Sequence, residues 1–428
     1  MQLKIQKILR RLLRLHPKST DLSLNRIKRL LKDLNNPEKK IKNAIQVVGT
    51  NGKHSFCTAL REIFETANYK VNMNISPSLR KFNERYYLSG KYITDDELYD
   101  LLKEVEKINK GQSITFHEFI CACFFLVASR IKSDVNILES GLFFRLDASN
   151  VLEKNIASIV MPIGIDHKDF LKKGTIDEII YEKCSHLLKG SKIFISEQKK
   201  DVLKKIKKTI SNNSSEKITF GENYNFIKNK KGFIYKDNLG KISLPFPNLK
   251  GDFQISNIST AIATARNLSQ FKITNSHLKK AITKIRSEGR LQNITSGKLR
   301  KYVSKNNKIL IDGAHNPLAA SVIEPYLKNL DSKGEIIMIL GMMANKEHKK
   351  FIQIFRNRVS SIITLDIPNQ INFIKKDKLS KIAKSCGIPS TTGNSIKSTL
   401  KKISKQNTRA TIFCTGSLYF AGEILNLN

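Results

Sequence analysis

Apolar residues fall along the chain in short, often β-branched runs that alternate with stretches spaced three and four apart, the pattern of strands joined by helices. Ala44–Val48 reads as a strand closed by Gly49, and Ser55–Asn68 puts Phe56, Leu60, Ile63 and Phe64 on one side of a helix. Val71–Ile75, Val135–Leu138, Ile156–Ile165 and Lys192–Ile195 read as further strands. Helices are predicted over Asp95–Ile108, Phe116–Ile131, Thr175–Leu188 and Lys199–Ser211. Residues 216–244 break this rhythm. Their short alternating pieces, separated by Asn, Lys and Gly, predict a small antiparallel appendage. Two helices follow, at Ser256–Leu268 and Ser276–Arg286, and then a polar stretch from Gly289. A second series runs from strand Ile309–Ile311 to strand Thr411–Cys414 and helix Ser417–Leu425. The expectation is an α/β protein of two domains, 1–288 and 301–428, joined by a linker at 289–300. Each domain should offer ligand groups at the C-terminal ends of its strands.

Composition narrows the partners. The 428 residues carry 75 Lys plus Arg against 37 Asp plus Glu, a formal charge of +38. The basic residues are spread evenly and Lys outnumbers Arg about three to one, whereas phosphate and base readers favour clustered Arg forks. Most of the charge therefore reads as a solvated lysine surface, with no nucleic-acid partner expected, although it would attract anionic substrates. No apolar run reaches the about 18 residues of a membrane span; His117, Glu118 and Arg130 interrupt the most apolar stretch. The six cysteines form no CxxC pair, which fits a reducing, cytoplasmic setting without zinc or a disulfide framework. The first 15 residues are basic and acid-free, readable as a targeting segment or, better, as an amphipathic helix on a domain edge.

Candidate chemistry begins with Val48-Gly49-Thr50-Asn51-Gly52-Lys53-His54-Ser55 between a strand and a helix. A glycine turn at a helix N-terminus exposes backbone N–H groups to a phosphate chain, and Lys53 adds a point charge. An ordinary turn would also account for the glycines. Ser76, Glu139 and the Asp166-His167 pair stand at other strand ends, where hydroxyl, carboxylate and imidazole would suit Mg²⁺. Singly, Ser76 could be an N-cap, Glu139 an ion-pair partner and His167 a capping residue; converging on one sheet edge, they favour a site. In the second series, Asp312, His315 and Asn316 follow a strand, and Pro317 suits a helix start.

These residues resemble one family. Gly49 to Lys53, Ser76-Pro77, the Glu139–Asn150 run, Asp166-His167, Glu182-Lys183, Asp312 to Pro317 and Thr415 to Tyr419 occur in this order in the folylpolyglutamate synthase/dihydrofolate synthase family, the folate branch of the Mur ligases. The resemblance implies a Mur-ligase-like fold: a P-loop ATPase domain with a mostly parallel sheet, plus a smaller Rossmann-like C-terminal domain. It implies that Asn51, Gly52, Lys53, His54, Asn257, Arg290 and Asp312 bind ATP, and that Ser76, Glu139, His167 and a carbamylated Lys183 hold one or two Mg²⁺ ions. Thr115, Phe116, His117 and Glu118, with Leu146, Asp147 and Ala148, match segments that hold the pterin. The chain departs from the family in having His54, Phe143-Phe144 and Phe253 where Gly, Gly-Gly and His are usual.

The implied reaction makes a carboxylate into a leaving group. The pterin carboxylate attacks the γ-phosphoryl group of ATP, and the L-glutamate amine then displaces phosphate from the acyl phosphate. Lys53, Lys183 and His315 are the expected catalytic residues, and dihydropteroate or reduced folates the expected acceptors, in a monomer. A Mur-type peptidoglycan ligase and a non-catalytic nucleic-acid protein on a nucleotide fold are the competing readings. Leu146-Asp147-Ala148 and the Asp312–Pro317 motif speak against the former.

Overall fold

Strands buried on both faces of a parallel sheet need nearly continuous apolar runs, and the runs above supply them. The computed structural model describes residues 1–18, 21–330, 335–406 and 409–428. Among these, eight strands make the first sheet: β1 (Ala44–Val48), β2 (Val71–Asn74), β3 (Tyr86–Leu88), β4 (Lys91–Tyr92), β5 (Val135–Glu139), β6 (Ala157–Val160), β7 (Lys192–Ile195) and β8 (Glu216–Thr219). Their order is β4-β3-β2-β5-β1-β6-β7-β8. All neighbours are parallel except the β2–β3–β4 meander. β1 is central, and its register sets Val47 beside Glu139 on β5 and Ile159 on β6. The strand from Ile156 ends at Val160 because Pro162 has no N–H for a ladder.

Helices enter this layer through a repeated cap. Thr94, Thr115 and Thr175 each accept the N–H of a glutamate three residues on, and Glu97, Glu118 and Glu178 reach back in return. The helix Phe116–Arg130 then buries Phe119, Phe124 and Phe125 in a core shared with Leu98 and Leu102. Helix Gln2–Leu12 adds Ile5, Ile8 and Leu12 to the same core, while Arg11 pairs with Glu106 at 2.6 Å. The basic N-terminal segment therefore covers a domain edge.

The antiparallel appendage is smaller than the 216–244 expected from the pattern. Glu216–Thr219 is β8, a parallel edge strand beside β7, because helix Lys200–Thr209 makes the crossover that parallel pairing requires. A four-residue strand alternates alike in either role, so the pattern could not separate them. The appendage proper is β9 (Tyr224–Asn229), β10 (Gly232–Asp237) and β11 (Gly240–Pro245). It buries Phe233, Tyr235, Ile242 and Leu244, and Asp237 meets Arg266 at 2.8 Å.

A third sheet holds β12 (Gln292–Asn293), β13 (Lys308–Ile311), β14 (Glu335–Leu340), β15 (Ser361–Thr364), β16 (Ser390–Thr392) and β17 (Ala410–Thr415), ordered β12-β13-β17-β14-β15-β16. Only β12 runs antiparallel. β12 lies inside the stretch expected as linker: its polar side chains hide a strand that forms through backbone bonds to β13, flanked by buried Leu291 and Ile294. The chain packs as two units. Residues 1–163, 175–248 and 255–285 form one, and residues 164–174, 249–254 and 286–428 the other.

Candidate active site

In the first unit, β1 runs directly into the turn Gly49–Gly52 and helix Lys53–Thr66. The turn is pinned from behind: the N–H groups of Thr50 and Asn51 donate to the Pro162 carbonyl at 2.9 and 3.2 Å. Gly52 adopts φ +80°, a left-handed conformation that starts the helix at no steric cost to glycine. A Cβ there would stand 2.7 Å from Asn257 Oδ1, so Asn257 lies against the turn. Lys53 folds over the loop and donates to Gly49 O at 3.1 Å. Its Nζ is 3.9 Å from Glu139 Oε1, on the neighbouring strand end. The Ser76 N–H donates to the other Glu139 oxygen at 3.3 Å, and Arg85 donates to Ser76 Oγ at 3.3 Å. Asn51 and His54 are half-buried in the turn and the first helical turn.

Lys183, buried in helix Ile176–Cys184, reaches the same loop. Its Nζ donates to Gly49 O at 3.0 Å and to Leu142 O at 2.7 Å, and lies 5.4 Å from the centre of the Phe143 ring. Two carbonyls and an aromatic face thus surround the unmodified Lys183 ammonium. Next to it, Arg145 forks onto Glu182 at 2.8 and 3.0 Å, a pair to which sequence reasoning assigned no role.

The segments matched to the pterin divide in two. His117 Nε2 stands 3.4 Å from Asp147 Oδ2, and the Gly141 N–H donates to that oxygen at 3.0 Å. Burial disfavours a charged His117, but the Cys121 sulfur and the Asp147 carboxylate outweigh it, raising the imidazole well above its ordinary range. Burial likewise raises the Asp147 carboxyl, while His117 and the Ser149 hydroxyl and N–H pull it below the usual value. Thr115 and Glu118 are instead spent on the helix cap, where Glu118 also receives Arg26 at 2.9 Å. Phe116 packs on Phe82 and on the core, Ala148 is inside that core, and Leu146 is half-buried.

The second unit has its own cluster. Asp312 is spent on its turn: its oxygens accept the N–H groups of Leu291 and Ala314 at 2.8 Å each. Burial pushes its carboxyl up, against the opposing charge of Arg290. The Arg290 guanidinium reaches the same turn, with Nη1 3.0 Å from where a Cβ on Gly313 would stand. His315 Nδ1 faces Gly313 O at 2.9 Å, and its Nε2 is 3.4 Å from Asp166 Oδ2. Lys346 meets the other Asp166 oxygen at 2.6 Å. Burial would raise the Asp166 carboxyl, but the hydrogen bond and charge of His315, with His167 and Lys346, hold it far below the usual carboxylate range. Asp166 and Lys346 line a cavity of about 270 Å³, together with His167, Lys168, Asn316 and Glu347, among others. Lys346 lies in a loop after β14 with no motif spacing, so nothing in the sequence marked it.

Of the four expected metal-binding residues, Ser76, Glu139 and Lys183 gather near the loop in the first unit, whereas His167 belongs to the second. Among the described residues, no three His, Cys, Asp or Glu side chains converge as a ready metal cage. No helix of the described residues is long and apolar enough to cross a membrane.

Known proteins resemble this chain in sequence and in fold. Residues 47–265 match the Mur ligase middle domain, and residues 294–427 the C-terminal domain of dihydrofolate synthetase. A dihydrofolate synthase/folylpolyglutamate synthase of Buchnera aphidicola is 30% identical over 325 residues, covering 73% of this chain and 72% of that protein. The chain belongs to this family. The enzyme of the same name from Bacillus subtilis is 28% identical over 433 residues, 94% of each chain. Among solved structures, E. coli FolC in complex with DHPP and ADP superposes with a TM-score of 0.88 at 22% identity, over 99% of this chain and 97% of that one. The Mur-ligase-like α/β fold expected from the sequence is thereby established. Family membership also disposes of the peptidoglycan-ligase reading, since the dihydrofolate synthetase match spans the C-terminal domain itself.

Proposed function

We propose that this chain is an ATP-dependent ligase that joins L-glutamate to a pterin carboxylate, acting on dihydropteroate, on reduced folates or on both. The observation that carries the reading is Lys53, folded over the glycine turn with Glu139 beside it. A cation and a carboxylate at one strand edge, before a helix N-terminus, are what a metal-bound triphosphate needs. Glu139 and Ser76 are hard oxygen donors and fit Mg²⁺. When bound, that ion would neutralise charge on the transferring phosphoryl group.

The remaining roles fall to the chain's own groups. Lys53 swings from Gly49 O to the phosphates. Asn257 packs against the turn and keeps Gly52 in its left-handed conformation, with Asn51 and His54 completing the ATP contacts. Lys183 ties Gly49 to Leu142 and so holds the loop against the pterin segment; carbamylated, it would offer Mg²⁺ a further carboxylate. Arg290 and Asp312 are the second unit's candidates for ATP contact. His315 orients the phosphate or the incoming glutamate. His117 and Asp147 form the polar end of the pterin pocket, with Leu146 as an apolar wall; Thr115, Phe116, Glu118 and Ala148 position that pocket by capping and packing. The six cysteines are all buried and free, which suits a reducing, cytoplasmic setting.

The test offers purified protein ATP, Mg²⁺ and radiolabelled glutamate with dihydropteroate or tetrahydrofolate in separate reactions. Label should enter at least one product with release of ADP and phosphate. No incorporation with either acceptor would refute the reading.

A further inference from the structure

We propose that Asp166 is a positioning residue of the ligase reaction, holding in fixed orientation the His315 imidazole and the Lys346 ammonium, the latter in the cavity wall. The proposal rests on the function above and adds a residue to which no role in it has been given.

The Asp166 side chain is only 6% exposed, and both its oxygens are engaged. Oδ1 accepts Lys346 Nζ at 2.6 Å and the His167 N–H at 2.8 Å. Oδ2 accepts Asn316 Nδ2 at 3.0 Å and faces His315 Nε2 at 3.4 Å and His167 Nε2 at 3.9 Å. These partners come from three stretches far apart in sequence, around residues 166, 315 and 346. A buried ion pair is a weak source of stability, and well-packed apolar residues of similar volume often serve better. What such a pair does supply is direction.

His315 shows this most clearly. Its ring is held at both nitrogens, at Nδ1 by the Gly313 carbonyl of its own turn and at Nε2 by Asp166. Without Asp166 only the short-range contact remains, and the imidazole can swing about it. Lys346, 8% exposed, would lose the carboxylate that orients its ammonium. Asn316 is less dependent, because its Oδ1 caps the helix Pro317–Lys328 through the Ala319 N–H at 2.9 Å. Asp166 thus acts through other side chains, and its loss should affect turnover more than nucleotide binding.

The experiment uses the full chain with Asp166→Asn, His315→Ala and the double variant, measuring steady-state kinetics and the ring resonances of ¹⁵N-histidine-labelled protein. The signal missing in His315→Ala identifies His315. For Asp166→Asn the expected result is a kcat lower by about 10- to 100-fold, the cost of a misplaced group, with the KM for ATP within about twofold and a displaced His315 resonance. The double variant should be slower than His315→Ala by less than the loss that Asp166→Asn causes alone, because the His315 share is already gone and only the Lys346 share remains. If Asp166→Asn does not fold, Asp166→Glu keeps the charge one methylene further out and should show the same kcat-selective loss. Wild-type kcat in the variant overturns the proposal, as do losses that multiply fully in the double variant, which would show that Asp166 does not act through His315. An unchanged His315 resonance overturns it whatever the turnover. Absence of turnover in the wild type would instead strike the proposed function, and the resonance would still decide the positioning role.

Discussion

Substituting Gly52 by alanine tests whether the glycine turn is shaped for nucleotide. At φ +80° an alanine pays about 1–2 kcal/mol for left-handed backbone. Its Cβ would also stand 2.7 Å from Asn257 Oδ1 and 3.2 Å from Met161 Cε, where ordinary contact begins at 3.4 Å. Asn257 is buried, so making up that shortfall drives its side chain off a rotamer at about 0.5–1.5 kcal/mol. The total is about 1.5–3.5 kcal/mol if the loop keeps its shape. If the loop relaxes and nucleotide must restore it, the same energy appears as about a ten- to few-hundred-fold loss of affinity. Gly90→Ala is the control, because φ there is +105° and nothing lies within 4 Å of the added Cβ. It pays the backbone cost alone, far from the loop in sequence. Urea unfolding and calorimetric titration with Mg·ADP on both variants separate the two terms. Gly52→Ala matching wild type in both unfolding stability and ADP affinity, or Gly90→Ala weakening ADP equally, would refute the argument.

Three further outcomes are expected. Lys53→Ala should lower kcat by about 10²–10³, the worth of one preorganised donor at a developing charge, with an unchanged circular dichroism spectrum; near-normal turnover would remove the phosphate-loop assignment. Arg266→Ala breaks a pair in which the side chains are 10% and 3% exposed, leaving Asp237 charged and buried. It should cost about 3–5 kcal/mol in urea unfolding, and a loss below about 1 kcal/mol would show that the pair is effectively solvated. His117, raised above its ordinary value of about 6.5, stabilises the fold fully below that pH and less as pH rises through its folded value. Asp147, depressed, contributes above about pH 3.9 and loses its contribution as pH falls. The stability gap between wild type and His117→Gln should therefore narrow from pH 6 towards pH 9, and a constant gap would exclude a charged His117 paired with Asp147.

Comparing pattern with structure shows where each kind of information resides. The run from Val48 to Ser55 was readable because strand, glycine turn, lysine and helix start are contiguous, and each element obeys a local rule. The same holds for Asn316 and Pro317, where an N-cap and a first-turn proline mark one helix start. The pterin segment was half readable. Thr115 and Glu118 carry a capping-box spacing, and the structure uses them for that. β8 and β12 were misplaced because a strand's partner is not written in its own few residues: Glu216–Thr219 joins the main sheet through its crossover helix, and Gln292–Asn293 joins the other through backbone groups of β13.

Contiguous chemistry, then, was accessible from residue order: the loop, the strand-end carboxylate and imidazoles, and the alternation that makes both units α/β. Which distant groups meet was not. Glu139 reaches Lys53 because β5 and β1 are neighbours in register. Asp166 gathers His315 and Lys346 across gaps of roughly 150 and 180 residues. Strand order and register arise from the summed packing of many similar apolar runs, so no single run announces its neighbours, and the geometry of a site built from several strand ends emerges only when the sheets close.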